Sequence, residues 1–170
     1  MKTTINNSLS KSITYQEYRT LVAELLADGK STSKADSENL VHYSKLNHSR
    51  MKRLDKTIQI PDEVKEKIKT INKPVHWIVI TEGWCGDAAQ NLPIINKLAE
   101  LNSNISLRIV LRDEHPELMD KFLTNGSAAI PKLIHTEQNH DLIEHWGPRP
   151  SEATKMVEDF KAQHGKLTPE

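Results

Sequence analysis

One residue in this sequence is equipped for covalent chemistry at a defined place. Cys85, the only cysteine of the chain, stands in Trp84-Cys85-Gly86-Asp87-Ala88, between an apolar run, Val75 to Thr81, and a helical pattern from Gly86 to Leu101. A thiolate is the nucleophile of disulfide exchange. A thiol at a helix start faces unpaired backbone N–H groups and the positive end of the helix dipole, both of which favour the anion. Position alone therefore predicts an activated thiol. Asp87 in the first turn has opposed consequences, because its carboxylate caps helix N–H groups while its charge raises the pKa of Cys85. An ordinary first-turn acid is an equally open reading. Glu82, two residues before Trp84, either adds negative character or sits in solvent.

Other chemistries find little support. Of eight histidines, His135, His140 and His145 gather around a predicted hairpin, but its strands hold His135 and His145 apart and no carboxylate completes a ligand set. No metal site is expected. Ser127 lacks a nucleophile-elbow context, no Gly-rich phosphate loop is present, and no cofactor is expected. A lone cysteine excludes an internal disulfide framework and a cysteine-rich zinc site. Lys plus Arg equal 23 and Asp plus Glu equal 23, a balance that argues against nucleic-acid binding by counterion release and against attachment to a membrane surface. No stretch approaches the ~20 apolar residues that span a bilayer, and Met1 to Leu26 lacks a secretory apolar core. A soluble, cytoplasmic protein with a reduced thiol is the expectation.

The elements that must position Cys85 follow from periodicity. A chain of 170 residues suits one compact domain with an appendage. Met1 to Ser12 is polar and reads as a frayed tail. Thr14 and Glu17 have capping-box spacing, with Ile13 and Tyr18 as a hydrophobic staple, so a helix runs from there until Asp28 and Gly29 stop it. A second helix is predicted over Ser33 to Thr57, its apolar stripe interrupted by Asn47. Its outer face carries Lys45, Arg50, Lys52, Arg53 and Lys56, read as a solvated basic face. Pro61 opens a third helix, carrying Val64, Ile68 and Ile71.

From Val75 the period changes. Val75–Thr81 and Ile105–Leu111 read as buried strands around the helix Gly86–Leu101, in which Pro93 predicts a kink; together they make a right-handed βαβ unit. His115–Thr124 reads as a helix with Gly126 past its end. Lys132–Thr136 and Leu142–Trp146 read as hairpin strands around Glu137–Asp141, and Ser151–His164 as a closing amphipathic helix. The order predicts an α/β domain with a mixed sheet flanked by helices.

On that order, the residues resemble the thioredoxin-like family. Trp84-Cys85-Gly86-Asp87-Ala88 is similar to its Trp-Cys-Gly-Pro-Cys segment at a strand-to-helix junction. Ile130-Pro131 before a strand resembles its cis-proline segment, and Gly147 resembles a glycine ending its final strand. The form with Trp-Cys-Gly-Asp-Ala looks like a bacterial branch. The likeness covers about Pro61 to Gln163. It implies a helical extension with a tail over 1–60, a thioredoxin-like domain over 61–165 and a C-terminal tail over 166–170.

The resemblance implies that Cys85 is catalytic and that Trp84, Gly86, Asp87, Ile130 and Pro131 bind substrate. Two departures qualify it. Ala88 occupies the place of the resolving cysteine, and Val79 the place of the family's buried acid, so an intramolecular dithiol cycle is impossible. The expected function is single-cysteine thiol–disulfide exchange with external resolution by a thiol protein or a low-molecular-weight thiol. A redox-inactive binding module or a peroxide-sensing thiol protein is the alternative. The expected partners are a disulfide-containing or thiol protein or a small thiol, with no nucleic acid and no membrane. The helical extension packs on the domain or serves a homodimer.

Overall fold

The apolar, β-branched run Val75–Thr81 forms β1, buried over nearly its whole length, as a strand flanked on both sides and covered on both faces requires. A computed structural model describes residues 1–165; the tail expected at 166–170 lies outside the described residues. β1 belongs to a four-stranded sheet of order β2-β1-β3-β4. β2 (Ile105–Leu111) runs parallel to it, with Val75 opposite Ile105 and Thr81 opposite Leu111. β3 (Lys132–Glu137) pairs antiparallel on the other side, with Val79 opposite Leu133. β4 (Leu142–Trp146) pairs antiparallel with β3 and forms the edge. The mixed sheet of an α/β domain, inferred from element order, is the observed one.

Helices cover this sheet. α1 (Lys2–Leu9), α2 (Tyr15–Ala27), α3 (Glu38–Thr57) and α4 (Asp62–Lys69) precede β1. α5 (Gly86–Glu100) makes the crossover to β2, runs through Pro93 as one helix, and buries Ala88, Ala89, Leu92, Ile95 and Ala99. α6 (Pro116–Met119) follows a 3-10 turn at Arg112–Glu114, and α7 (Ser151–His164) closes the described chain. Tyr15, Tyr18 and Val22 of α2 and Met51 of α3 join the same core cluster as β1, β2 and α5. α1 and α2 thus pack on β2, and α3 packs on α5 and α2.

The capping box at α2 is formed in full. The Thr14 hydroxyl accepts the Glu17 N–H at 3.1 Å, and the Glu17 carboxylate accepts the Thr14 N–H at 2.7 Å, satisfying two amides that a helix start leaves open.

Three local expectations are corrected. Met1 to Ser12 is not a frayed tail: α1 spans most of it, and Ile5 is fully buried. A helix that buries one face through Ile5 and Ser8 shows almost no apolar periodicity, so composition alone hides it. The second helix starts at Glu38 rather than near Ser33, because Ser31 and Ser33 accept the backbone N–H groups of Ser33 and Ala35 and hold the chain in turns that compete with helix. The helix expected over His115–Thr124 shrinks to α6. Beyond Met119 the chain tightens through short-range bonds, Lys121 N–H to Leu118 O and Phe122 N–H to Met119 O, and Gly126 serves a turn closed by Thr124 and Ser127.

Candidate functional site

Cys85 is the N-cap of α5. Burial of β1 fixes the strand end, the Cys85 N–H returns to Glu82 O at 3.1 Å, and the helix leaves immediately. The sulfur sits where two loops meet. Its Sγ accepts the Ala88 N–H at 3.4 Å and donates to Ile130 O at 3.3 Å, although the two residues are 45 apart in sequence. The Ile130–Pro131 bond is cis. Behind it, Gly147 has φ 121°, and a Cβ there would fall 2.2 Å from Pro131 O. Only glycine permits this approach of the two backbones.

Burial reverses the activation that position alone predicts. Cys85 is 8 % exposed. Desolvation pushes its thiol pKa up, against the Ala88 amide, which favours the anion; the Asp87 carboxylate raises it further, while the Asp87 amide and Arg149 oppose. The net direction is upward from the ordinary thiol value. The carboxylate of Asp87 is not a cap: Arg149 grips it in bidentate fashion, Nε to Oδ1 at 2.8 Å and Nη2 to Oδ2 at 2.7 Å. This pair joins the loop after β4, which holds a second cis bond at Gly147–Pro148, to the first turn of α5.

The remaining residues of the motif are equally placed. Trp84 is half-buried beneath Arg112, whose Cζ lies 4.9 Å from the ring centroid, a cation–π contact. Its indole N–H is buried and finds no acceptor among the described residues. Gly86 is exposed at the lip. Trp84, Gly86, Asp87, Ile130 and Pro131 all lie in the segments that meet at Cys85.

The family named Thioredoxin matches residues 33–161, more than half of the chain. The chain belongs to the thioredoxin-like family. Its match begins ahead of α3, so that helix lies within it. A crystal structure of a protein of unknown function, PA1234 from Pseudomonas aeruginosa, is similar at 19 % identity, with a TM-score of 0.60 over 84 % of this chain and 85 % of that one. An HIV epitope-scaffold is similar at 21 % identity and a TM-score of 0.57, covering 81 % and 80 %. At such identities the likeness concerns the fold. No curated protein matches.

Against the family pattern, the two departures have clear surroundings. Ala88, at the resolving-cysteine position, is 1 % exposed, and Val79, at the position of the family's buried acid, is fully buried in the core. An acid is nevertheless buried nearby. Glu82 is not in solvent: it is fully buried, with the Thr32 hydroxyl donating to Oε2 and the Asp113 N–H donating to Oε1 at 3.0 Å. Desolvation holds its carboxyl above the usual carboxylate range, against the two hydrogen bonds.

Other residues near the site were not found from sequence. Asn47 of α3, 2 % exposed, donates from Nδ2 to Gly83 O at 3.2 Å. Its interruption of an apolar stripe was the visible signal. Arg50, one turn further along α3, donates from Nη1 to Asn47 Oδ1 at 3.1 Å. The predicted hairpin histidines diverge: His135 packs edge-on against Trp77, His140 near His76, and His145 against Phe122. Among the described residues no group of side chains forms a metal site, and no helix is long and apolar enough to cross a membrane.

Proposed function

We propose that this chain is a single-cysteine thiol–disulfide oxidoreductase acting through Cys85. One observation carries the reading: the sulfur bridges the N-terminal amides of α5 and the carbonyl beside the cis Ile130–Pro131 bond. That carbonyl accepts the S–H and so favours the protonated thiol. A substrate N–H pairing with Ile130 O competes for it and frees the sulfur to ionise against the Ala88 amide. Trp84 provides an apolar wall for the docked group.

The exchange balances without a second protein cysteine. The Cys85 thiolate attacks one sulfur of R–S–S–R, the S–S bond breaks, and R–S⁻ leaves and takes a proton from solvent. An external thiol, as its thiolate, then attacks the R sulfur of the mixed disulfide, departs as the new disulfide, and returns the Cys85 thiolate. The partner is a low-molecular-weight thiol or a thiol protein.

The test is reduction of a small mixed disulfide by wild type and Cys85→Ser in the presence of excess small thiol. Turnover is expected in wild type and lost in the variant; turnover retained in Cys85→Ser defeats the proposal. Burial of Cys85 favours a second reading, a binding module without turnover. Iodoacetamide alkylation distinguishes them. Because burial raises the thiol pKa, the free protein is expected to alkylate more slowly at pH 7 than free cysteine, with a midpoint above the ordinary thiol range. An exchange enzyme gains rate when a docking peptide is added, and a binding module does not.

A further inference from the structure

The basic face of α3 is not one surface. Lys45, Lys52, Arg53 and Lys56 are exposed, as a solvated helix face should be. Arg50 instead turns toward the thiol site. The point that a Cβ on Gly86 would occupy lies 3.7 Å from Arg50 Nη1 and 4.0 Å from Asn47 Oδ1. The guanidinium therefore stands over the residue next to Cys85.

Its orientation is built rather than incidental. Gly83 O holds the Asn47 amide, and the Asn47 oxygen holds Arg50, so the loop that carries the cysteine sets the direction of the arginine. Its charge is also unspent. At the same lip, Arg149 is neutralised by Asp87 and Arg112 by Asp113, whereas Arg50 makes no ion pair among the described residues. The rim beside the sulfur thus carries one uncompensated guanidinium with donors to spare, the group that suits a planar carboxylate.

We propose that Arg50 is a specificity residue, binding the carboxylate of a small anionic thiol, or of its disulfide, while that molecule's sulfur meets Cys85. The inference rests on the thiol-exchange reading for its chemistry, and it names the substrate class: carboxylate-bearing low-molecular-weight thiols, with the acid a few bonds from the sulfur. Neutral and cationic disulfides of the same size lack the partner or repel it.

Two measurements test it. The first is the rate at which Cys85 forms a mixed disulfide with N,N′-diacetylcystine (a dianion), N,N′-diacetylcystamine (neutral) or cystamine (a dication), all of which carry an N–H for the Ile130 carbonyl, followed by intact mass and divided by the rate for free cysteine under the same conditions. Wild type is expected to favour the dianion over the neutral compound by about tenfold, the effect of roughly one charge pair at contact in a partly exposed site, and to disfavour cystamine. Arg50→Gln removes the ordering and Arg50→Glu inverts it, both with unchanged circular dichroism. An ordering that survives Arg50→Gln overturns the proposal.

The second measurement needs no reaction. The unreactive thioether 3-(methylthio)propionate is expected to shift the Gly86 amide resonance saturably in wild type and not in Arg50→Gln. Absence of a saturable shift in wild type overturns the anion site. If Cys85 reacts with none of the disulfides while the thioether still binds through Arg50, the exchange reading falls and the anion site stands.

Discussion

Replacing Glu82 by Gln isolates the effect of one buried charge. The carboxyl is fully buried, accepts hydrogen bonds from Thr32 and Asp113, and has its pKa raised by burial above the ordinary value. Its folded value therefore lies above its unfolded value of about 4.3. Stability contributed by such a group is complete below the unfolded pKa and is lost as pH rises through the folded pKa. The loss has a steepest slope of about 1.4 kcal/mol per pH unit for one proton. Glutamine does not titrate and keeps both neighbours, and the acceptor it costs the Thr32 hydroxyl hydrogen is a loss that does not vary with pH. Its carbonyl accepts the Asp113 N–H, and its amide donates to the Thr32 oxygen, which already accepts the Gly83 N–H at 3.0 Å and has a lone pair left. Urea denaturation of both proteins from pH 4 to pH 8 is the assay. The stability of wild type minus that of Glu82→Gln is expected to fall with rising pH from about 4.3 upward and to level off above the native pKa. A difference that stays flat, or that grows in favour of wild type, would refute a buried, reluctantly ionised Glu82.

Two further outcomes follow from the site. Asp87→Asn removes a carboxylate that raises the Cys85 pKa and releases Arg149, so iodoacetamide alkylation at pH 7.5 is expected to accelerate and its pH midpoint to fall, whereas Arg149→Met moves both the other way. Gly147→Ala drives a Cβ to 2.2 Å from Pro131 O at φ 121° and is expected to cost more than about 2 kcal/mol in denaturant titration, while Gly126→Ala, with nothing within 4 Å at φ 75°, costs about 1 kcal/mol.

What the sequence made legible is what local chemistry specifies. The β-branched runs at Val75–Thr81 and Ile105–Leu111 gave strands with their observed bounds, and the Thr14–Glu17 pair placed the start of α2, because periodicity and capping act within a few residues. The family resemblance placed Cys85 and the Ile130–Pro131 segment. What stayed hidden depends on partners far along the chain. Asp87 meets Arg149 across 62 residues, Glu82 meets Thr32 across 50, and Asn47 meets Gly83 across 36. An acid after a strand reads as solvated until a loop is known to cover it. The polar break at Asn47 was visible, but its acceptor is a backbone carbonyl, which carries no side-chain signature.

The thiol shows why a residue's place in the fold can be read correctly and its protonation state misjudged. Helix-end interactions are worth about 0.3–1 kcal/mol and reach ~2 kcal/mol in favourable partly buried geometry, or at most about 1.5 pKa units. Full burial moves a pKa by up to about 3–5 units. Position at an N-cap is readable from sequence, whereas solvent access depends on chain brought from far away, the Ile130 segment whose carbonyl meets the sulfur. With Cys85 at 8 % exposure, the larger effect wins and the thiol rests protonated. Under the proposed exchange reading, the arriving substrate switches the sulfur on by displacing the Ile130 carbonyl from the S–H. On that reading, docking of a substrate N–H on Ile130 O and ionisation of the thiol are one event, and the nucleophile exists only while the substrate is bound.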